Sequence, residues 1–129
     1  MRRDKNDLKW QECKRKVFEL DNKQCLLCQT LTVAEMLRFQ KSNPEFSLNI
    51  IDPAHHIAVS QNTKIMYDVD NVFSLCRCHH ERLDNCKDPV TGKYCTQEDT
   101  NYWWNRIIKK RQDNLNSKSI RYNFYYESM

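Results

Sequence analysis

The stretch Ser74-Leu-Cys-Arg-Cys-His-His-Glu-Arg-Leu-Asp84 decides how the chain is read, because it sets two cysteines and two histidines at the start of a short amphipathic run. Cys76 and His79 are separated by two residues, as are Cys25 and Cys28 in Cys-Leu-Leu-Cys. This is the spacing that lets two side chains occupy adjacent corners of a tetrahedral ion. The two half-sites together make a closed Cys₃His set for a structural Zn²⁺. Cys78 competes with His79 for the fourth place, but one intervening residue from Cys76 is a poor bite, and His79 is favoured. A thioredoxin-like role for Cys25 and Cys28 lacks the surrounding βαβ pattern. Cys13, Cys86 and Cys95 read as small, partly buried residues without chemistry.

Working outward, 129 residues suit one domain. There is no apolar run of membrane-spanning length, and the first residues lack the apolar core of a signal peptide, so an intracellular, cytoplasmic setting without membrane contact is expected. An odd count of seven cysteines favours metal ligation over disulfides. The charge is uneven. Residues 1–16 hold seven Lys/Arg against Asp4, Asp7 and Glu12, and residues 106–121 hold six against Asp113, so flanks of +4 and +5 surround a middle of about −5 in a chain of net +4. Basic ends around an acidic centre suit a protein that grips a polyanion; solvated Lys/Arg-rich helices explain the charge about equally well.

Periodicity places the elements. Trp10, Cys13, Val17 and Leu20 share one helical face. A helix is expected from about Thr32 to Lys41, within a connecting insertion at 31–47, with Val33, Met36 and Leu37 inward. Two strands are expected over Ser47–Ile51 and Asn71–Leu75, followed by a short helix over His79–Asp84. Thr96 can cap a basic helix reaching about Asn116, with Trp104, Ile107, Ile108 and Leu115 inward. The tail 117–129 carries no clear signal.

All four histidines fall in doublets, His55–His56 and His79–His80, with fourteen residues between His56 and Asn71 and eight between Asn71 and His80. In the segments Ala-His-His-Ile, Asp-Asn-Val-Phe-Ser-Leu-Cys and Cys-Arg-Cys-His-His-Glu-Arg-Leu-Asp, in that order and framed by zinc half-sites, the chain resembles the HNH endonucleases over roughly residues 10–85. The resemblance implies an α+β fold with a ββα-metal (His-Me finger) core, a zinc site and flanking helices, forming a single nuclease domain over 1–129. It implies metal-dependent hydrolysis of phosphodiester bonds in DNA, double-stranded by expectation. His56 would be the general base, His55 and His80 would hold one divalent ion, and Asn71 would orient the base or brace its loop. Successive helical residues point about 100° apart, so His79 can face the zinc while His80 faces the cleft. Many members carry Asp where this chain has His55, so Mn²⁺ or Ni²⁺ stands beside Mg²⁺ as the catalytic ion. Asp52 reads as a turn residue before Pro53, with a supporting contact to a histidine as the lesser reading. Arg2, Arg3, Lys109, Lys110 and Arg111 are the expected backbone contacts, with Arg77 and Arg82 nearer the cleft. The proportions resemble small phage or mobile-element nucleases. The rival reading is a catalytically silent, zinc-stabilised nucleic-acid-binding module; a zinc-structured interaction adaptor explains neither the basic flanks nor the spacing.

Overall fold

The computed structural model describes residues 8–42, 50–58 and 61–128, those at Thr63 and 118–128 by their backbone alone. It is a mixed α+β structure in which five helices surround a two-stranded antiparallel sheet. Helix α1 (Leu8–Leu20) buries Cys13 and Val17, on the face that the periodicity marks. The short helix α2 (Leu26–Thr30) begins at Cys25, whose Sγ accepts the Cys28 N–H at 3.4 Å. Helix α3 (Val33–Ser42) opens with a reciprocal cap: the Glu35 amide donates to Thr32 Oγ1 and the Thr32 amide to Glu35 Oε1. Its buried residue is Phe39, with Met36 packed beside it. Val33 and Leu37, expected inward, are 79% and 56% exposed, because Met36 and Phe39 set the buried stripe.

Strand β1 (Ile51–His55) pairs with β2 (Val72–Cys76), Ile51 opposite Cys76 and His55 opposite Val72. The first strand thus starts where it was expected to end and runs through Pro53; Ser47–Asn49 lie outside the described residues. The register explains why proline is tolerated. Arg77 N–H donates to Ile50 O and His56 N–H to Asn71 O, so the hydrogen-bonded pairs fall at even positions of β1, and Pro53 occupies a place whose N–H would point away from the partner strand. Opposite it, the Ser74 N–H also points outward and donates to Asp21 Oδ2 at 2.9 Å.

Helix α4 (Arg77–Asp84) follows β2 directly. Helix α5 (Gln97–Ser128) is capped by Thr96, whose Oγ1 accepts the Asp99 N–H. It runs through the segment in which the sequence carries no clear signal. Trp103, Trp104 and Ile107 are buried, Ile108 is half-buried, and Leu115, expected inward, is 37% exposed. The main core joins Leu26, Leu27, Phe39, Ala54, Phe73, Leu75, Leu83, Trp104 and Ile107. A smaller cluster of Cys13, Val17 and Val72, with Trp10, Phe18, Tyr67 and Val69 around it, lies between α1 and β2.

Candidate metal centre and the histidine doublets

The chain brings Cys25, Cys28, Cys76 and His79 together, their ligand atoms all within 4.8 Å of one another. His79 Nδ1 lies 3.7 Å from Cys25 Sγ, 3.5 Å from Cys28 Sγ and 3.3 Å from Cys76 Sγ. A tetrahedral zinc with Zn–S about 2.3 Å and Zn–N about 2.0–2.1 Å separates sulfur from nitrogen by about 3.5 Å, so the donor set fits that ion. This is the Cys₃His cluster expected from the spacing. Cys78 is buried but stands outside it, since two residues after Cys76 the helix points away, whereas position 79 turns back.

Crowding sets the thiols against one another. Cys28 is pushed up by its contacts with Cys25 and then Cys76, and Cys76 is pushed up to about 12, first by Cys25. For Cys25, burial raises the pKa, but contacts with Cys28, Cys76 and His79 outweigh it and hold the thiol well below its ordinary range. Without a cation the nest therefore favours one thiolate; a divalent ion is what lets three thiolates coexist there. His79 Nε2 is buried with no hydrogen-bond partner among the described residues, and the Phe39 ring lies 4.3 Å from the imidazole, centroid to centroid.

The second doublet divides. His79 faces the sulfurs, and His80, next on α4, faces two carboxylates: Nδ1 is 3.2 Å from Asp52 Oδ2 and Nε2 is 3.2 Å from Asp84 Oδ2. The Asp84 contact and then the Asp52 contact raise its pKa, against burial. Asp52 thus supports a histidine, the role given less weight from sequence, while Arg77 approaches the same carboxylate at 3.3 Å.

The first doublet divides as well. His55 stacks on Trp10, with centroids 5.3 Å apart and planes inclined by 15°, and its Nε2 lies 2.8 Å from the Met66 carbonyl oxygen. His56 packs instead against Trp104, 5.0 Å away, and burial lowers its pKa. Strand alternation sends the two rings to opposite faces. It also puts His55 on the face away from Asp52, roughly 10 Å along the strand. His80 is accordingly gathered with Asp52 and Asp84 rather than with His55, and the Cys₃His set is the one group of three or more such residues, among the described residues, whose ligand atoms all converge within 4.8 Å.

Asn71 is buried where β2 begins. Its carbonyl oxygen accepts the His56 N–H at 2.9 Å, its Oδ1 accepts the Ile57 N–H at 2.8 Å, and its Nδ2 donates to Ile57 O at 3.0 Å. It braces the loop that leaves β1 and fixes the backbone on which His56 is carried.

The basic residues separate too. Lys109 is exposed and Lys110 half-exposed. With Arg106, Gln29, Thr30 and Asp113 they line a groove of about 340 Å³ between α2 and α5. Arg111 is not available as a backbone contact: it is 5% exposed, paired to Asp21 at 2.7 Å and bonded to the Val69 and Val72 carbonyls. Arg82 is likewise engaged within the protein, donating to Pro89 O and Ser42 Oγ with its guanidinium 5.4 Å from the Phe39 centroid. Arg2 and Arg3 lie outside the described residues. Sequence reasoning missed Asp84, although its i+4 spacing from His80 was there to be read. No family model matches the chain, and neither a curated protein nor a solved structure matches it significantly.

Proposed function

We propose that the chain is a zinc-stabilised endonuclease of the HNH type, a ββα-metal domain hydrolysing phosphodiester bonds in double-stranded DNA. The observation that carries this reading is His56: a half-buried imidazole at the exit of β1, with its pKa lowered by burial and its backbone locked through Asn71. A ring kept neutral near physiological pH is suited to take a proton from an attacking water. The order β1, loop, β2, α4, with Asn71 opening β2 and His80 on the helix, supports it further. A zinc held by Cys25, Cys28, Cys76 and His79 would supply rigidity alone, because four protein ligands leave no open position for substrate.

A catalytic Mg²⁺, Mn²⁺ or Ni²⁺ would supply charge neutralisation at the phosphate and the leaving oxygen. His55 and His80 do not fit as its joint holders in the arrangement described, since His55 is engaged by Trp10 and the Met66 carbonyl while His80 sits between Asp52 and Asp84. The residues of the chain then act as follows: His56 accepts the proton of water, Asn71 holds the base in place, and Lys109, Lys110 and Arg77 meet backbone phosphates. Plasmid cleavage across Mg²⁺, Mn²⁺ and Ni²⁺, with His56→Ala as control, tests the proposal. Cleavage that needs the ion and His56 is expected.

The engagement of His55 favours one second reading, a zinc-stabilised nucleic-acid-binding module without turnover. DNA binding with no cleavage under any of the three ions selects it.

A further inference from the structure

Away from the Cys₃His cluster, the connection from α4 to α5 brings two other cysteines into register. Lys87 and Tyr94 form an antiparallel bridge, flanked by Cys95 N–H donating to Cys86 O at 2.9 Å and Asp88 N–H donating to Lys93 O at 2.7 Å. That pattern sets Cys86 directly opposite Cys95, in the class of pair whose Cα atoms stand about 5.5 Å apart. A disulfide spans Cα separations of roughly 4.4–6.8 Å. Directly opposed side chains share a face of the ribbon, and Lys87 Nζ indeed lies 5.3 Å from the Tyr94 ring centroid on one face. Cys86 and Cys95 are the next directly opposed pair along that ribbon.

Both thiols are free and half-buried, within reach of a small oxidant. Cys86 holds φ at 52°, in the left-handed region that side chains other than Gly, Asn and Asp seldom occupy. Gly92, with φ 76°, sits in the turn that returns the chain from Cys86 to Cys95. Cys95 Sγ rests 3.7 Å from Thr100 Oγ1 in the first turn of α5.

We propose that Cys86 and Cys95 are a redox-active dithiol that closes to an intrachain disulfide under a small-molecule disulfide oxidant such as oxidised glutathione, clamping the end of α4 to the start of α5. In the first step the thiolate of one cysteine attacks a sulfur of the oxidant, whose S–S bond breaks and releases one thiolate. The second cysteine thiolate then attacks the protein sulfur of the mixed disulfide and releases the other. In sum, two protein thiols give up two protons and two electrons, and one oxidant disulfide becomes two thiols. The clamp joins the helix bearing His79 and His80 to the helix bearing Lys109 and Lys110.

Trypsin cuts after Lys87 and after Lys93, leaving the cysteines in separate peptides, Leu83–Lys87 and Tyr94–Arg106. The full chain, supplied with zinc, is treated with oxidised glutathione and digested without reductant. The expected product is the two peptides joined, at their summed mass less two hydrogens and separable by dithiothreitol, and the oxidised protein melts about 5 °C higher. Cys86→Ser removes both effects. Glutathione left on either peptide, unmodified peptides, or a link from Cys86 or Cys95 to Cys13 or a zinc-set cysteine overturns the pairing, and a link with no rise in melting temperature overturns the clamp.

Discussion

Arg111, near the middle of the last helix, closes onto Asp21, just after the first, with Nη2 2.7 Å from Oδ2 and Nε 2.9 Å from Oδ1. The pair does more than neutralise itself. Asp21 Oδ2 accepts the Ser74 N–H and Arg111 Nη2 donates to the Val72 carbonyl, so two side chains satisfy the outer edge of β2 as a third strand would. The guanidinium also lies 4.2 Å from the Phe73 centroid.

Cutting this pair leaves a buried charge and unpaired strand groups, so Arg111→Ala should cost about 3 kcal/mol or more in urea denaturation. Asp21→Asn should also destabilise, because it leaves the buried Arg111 guanidinium without a counter-charge and sets an amide NH₂ against an N–H donor. A cost under about 0.5 kcal/mol for Arg111→Ala would show that the strand edge does not depend on it.

Lys109→Ala with Lys110→Ala should do the opposite. Neither lysine is buried, so stability should hold within about 0.5 kcal/mol, while DNA affinity falls on every sequence and its salt dependence flattens. Unchanged affinity at low salt would assign these charges to solvation.

The histidines should separate by readout. His79→Ala should lose zinc content and melting temperature together, since the binding energy of a closed thiolate site is folding energy. His80→Ala should keep the zinc content, because its imidazole faces Asp52 and Asp84 rather than the sulfurs. His56→Ala should keep zinc, fold and DNA binding and lose about 10²-fold in rate. Zinc loss in His80→Ala instead of His79→Ala would reverse the division of the doublet.

Glu35 supplies a pH test remote from the metal ligands. Its hydrogen bonds with Arg106 hold the carboxyl at about 2, below its ordinary 4.5. A depressed folded pKa gives stability that is present above about 4.5 and lost as the pH falls through about 2. For a partly exposed pair the contribution is on the order of 1 kcal/mol. The stability difference between wild type and Glu35→Gln should shrink between pH 5 and pH 2, while acid loss of thiolate ligands acts on both alike. A difference constant with pH would remove the role of that ion pair.

How much could be read beforehand depended on whether the signal was local. The Cys₃His set, the inward face of α1 and the choice of His79 over Cys78 follow from spacing along one helix or turn, and all three appear in the structure. Strand β1 runs past the expected end at Ile51 because Pro53 is tolerated within it, and that tolerance depends on the register with β2, which only pairing fixes. Lys109, Lys110 and Arg111 look alike in sequence; the partner that buries Arg111 lies 90 residues away. Met36 and Phe39 displaced Val33 and Leu37 from the buried face of α3, since two stripes fit the same period and tertiary packing selects one.

The Cys₃His cluster also has a topological consequence. Cys28 and His79 are 51 residues apart in sequence, so an ion binding both half-sites turns the intervening chain into a ring. His55, His56 and Asn71 lie inside that ring, and His80 is the first residue beyond it. Closing a loop of that length removes about 4 kcal/mol of freedom from the unfolded chain on a chain-entropy model. The order of the strand that carries the candidate base would therefore rise and fall with the supply of a metal it never touches.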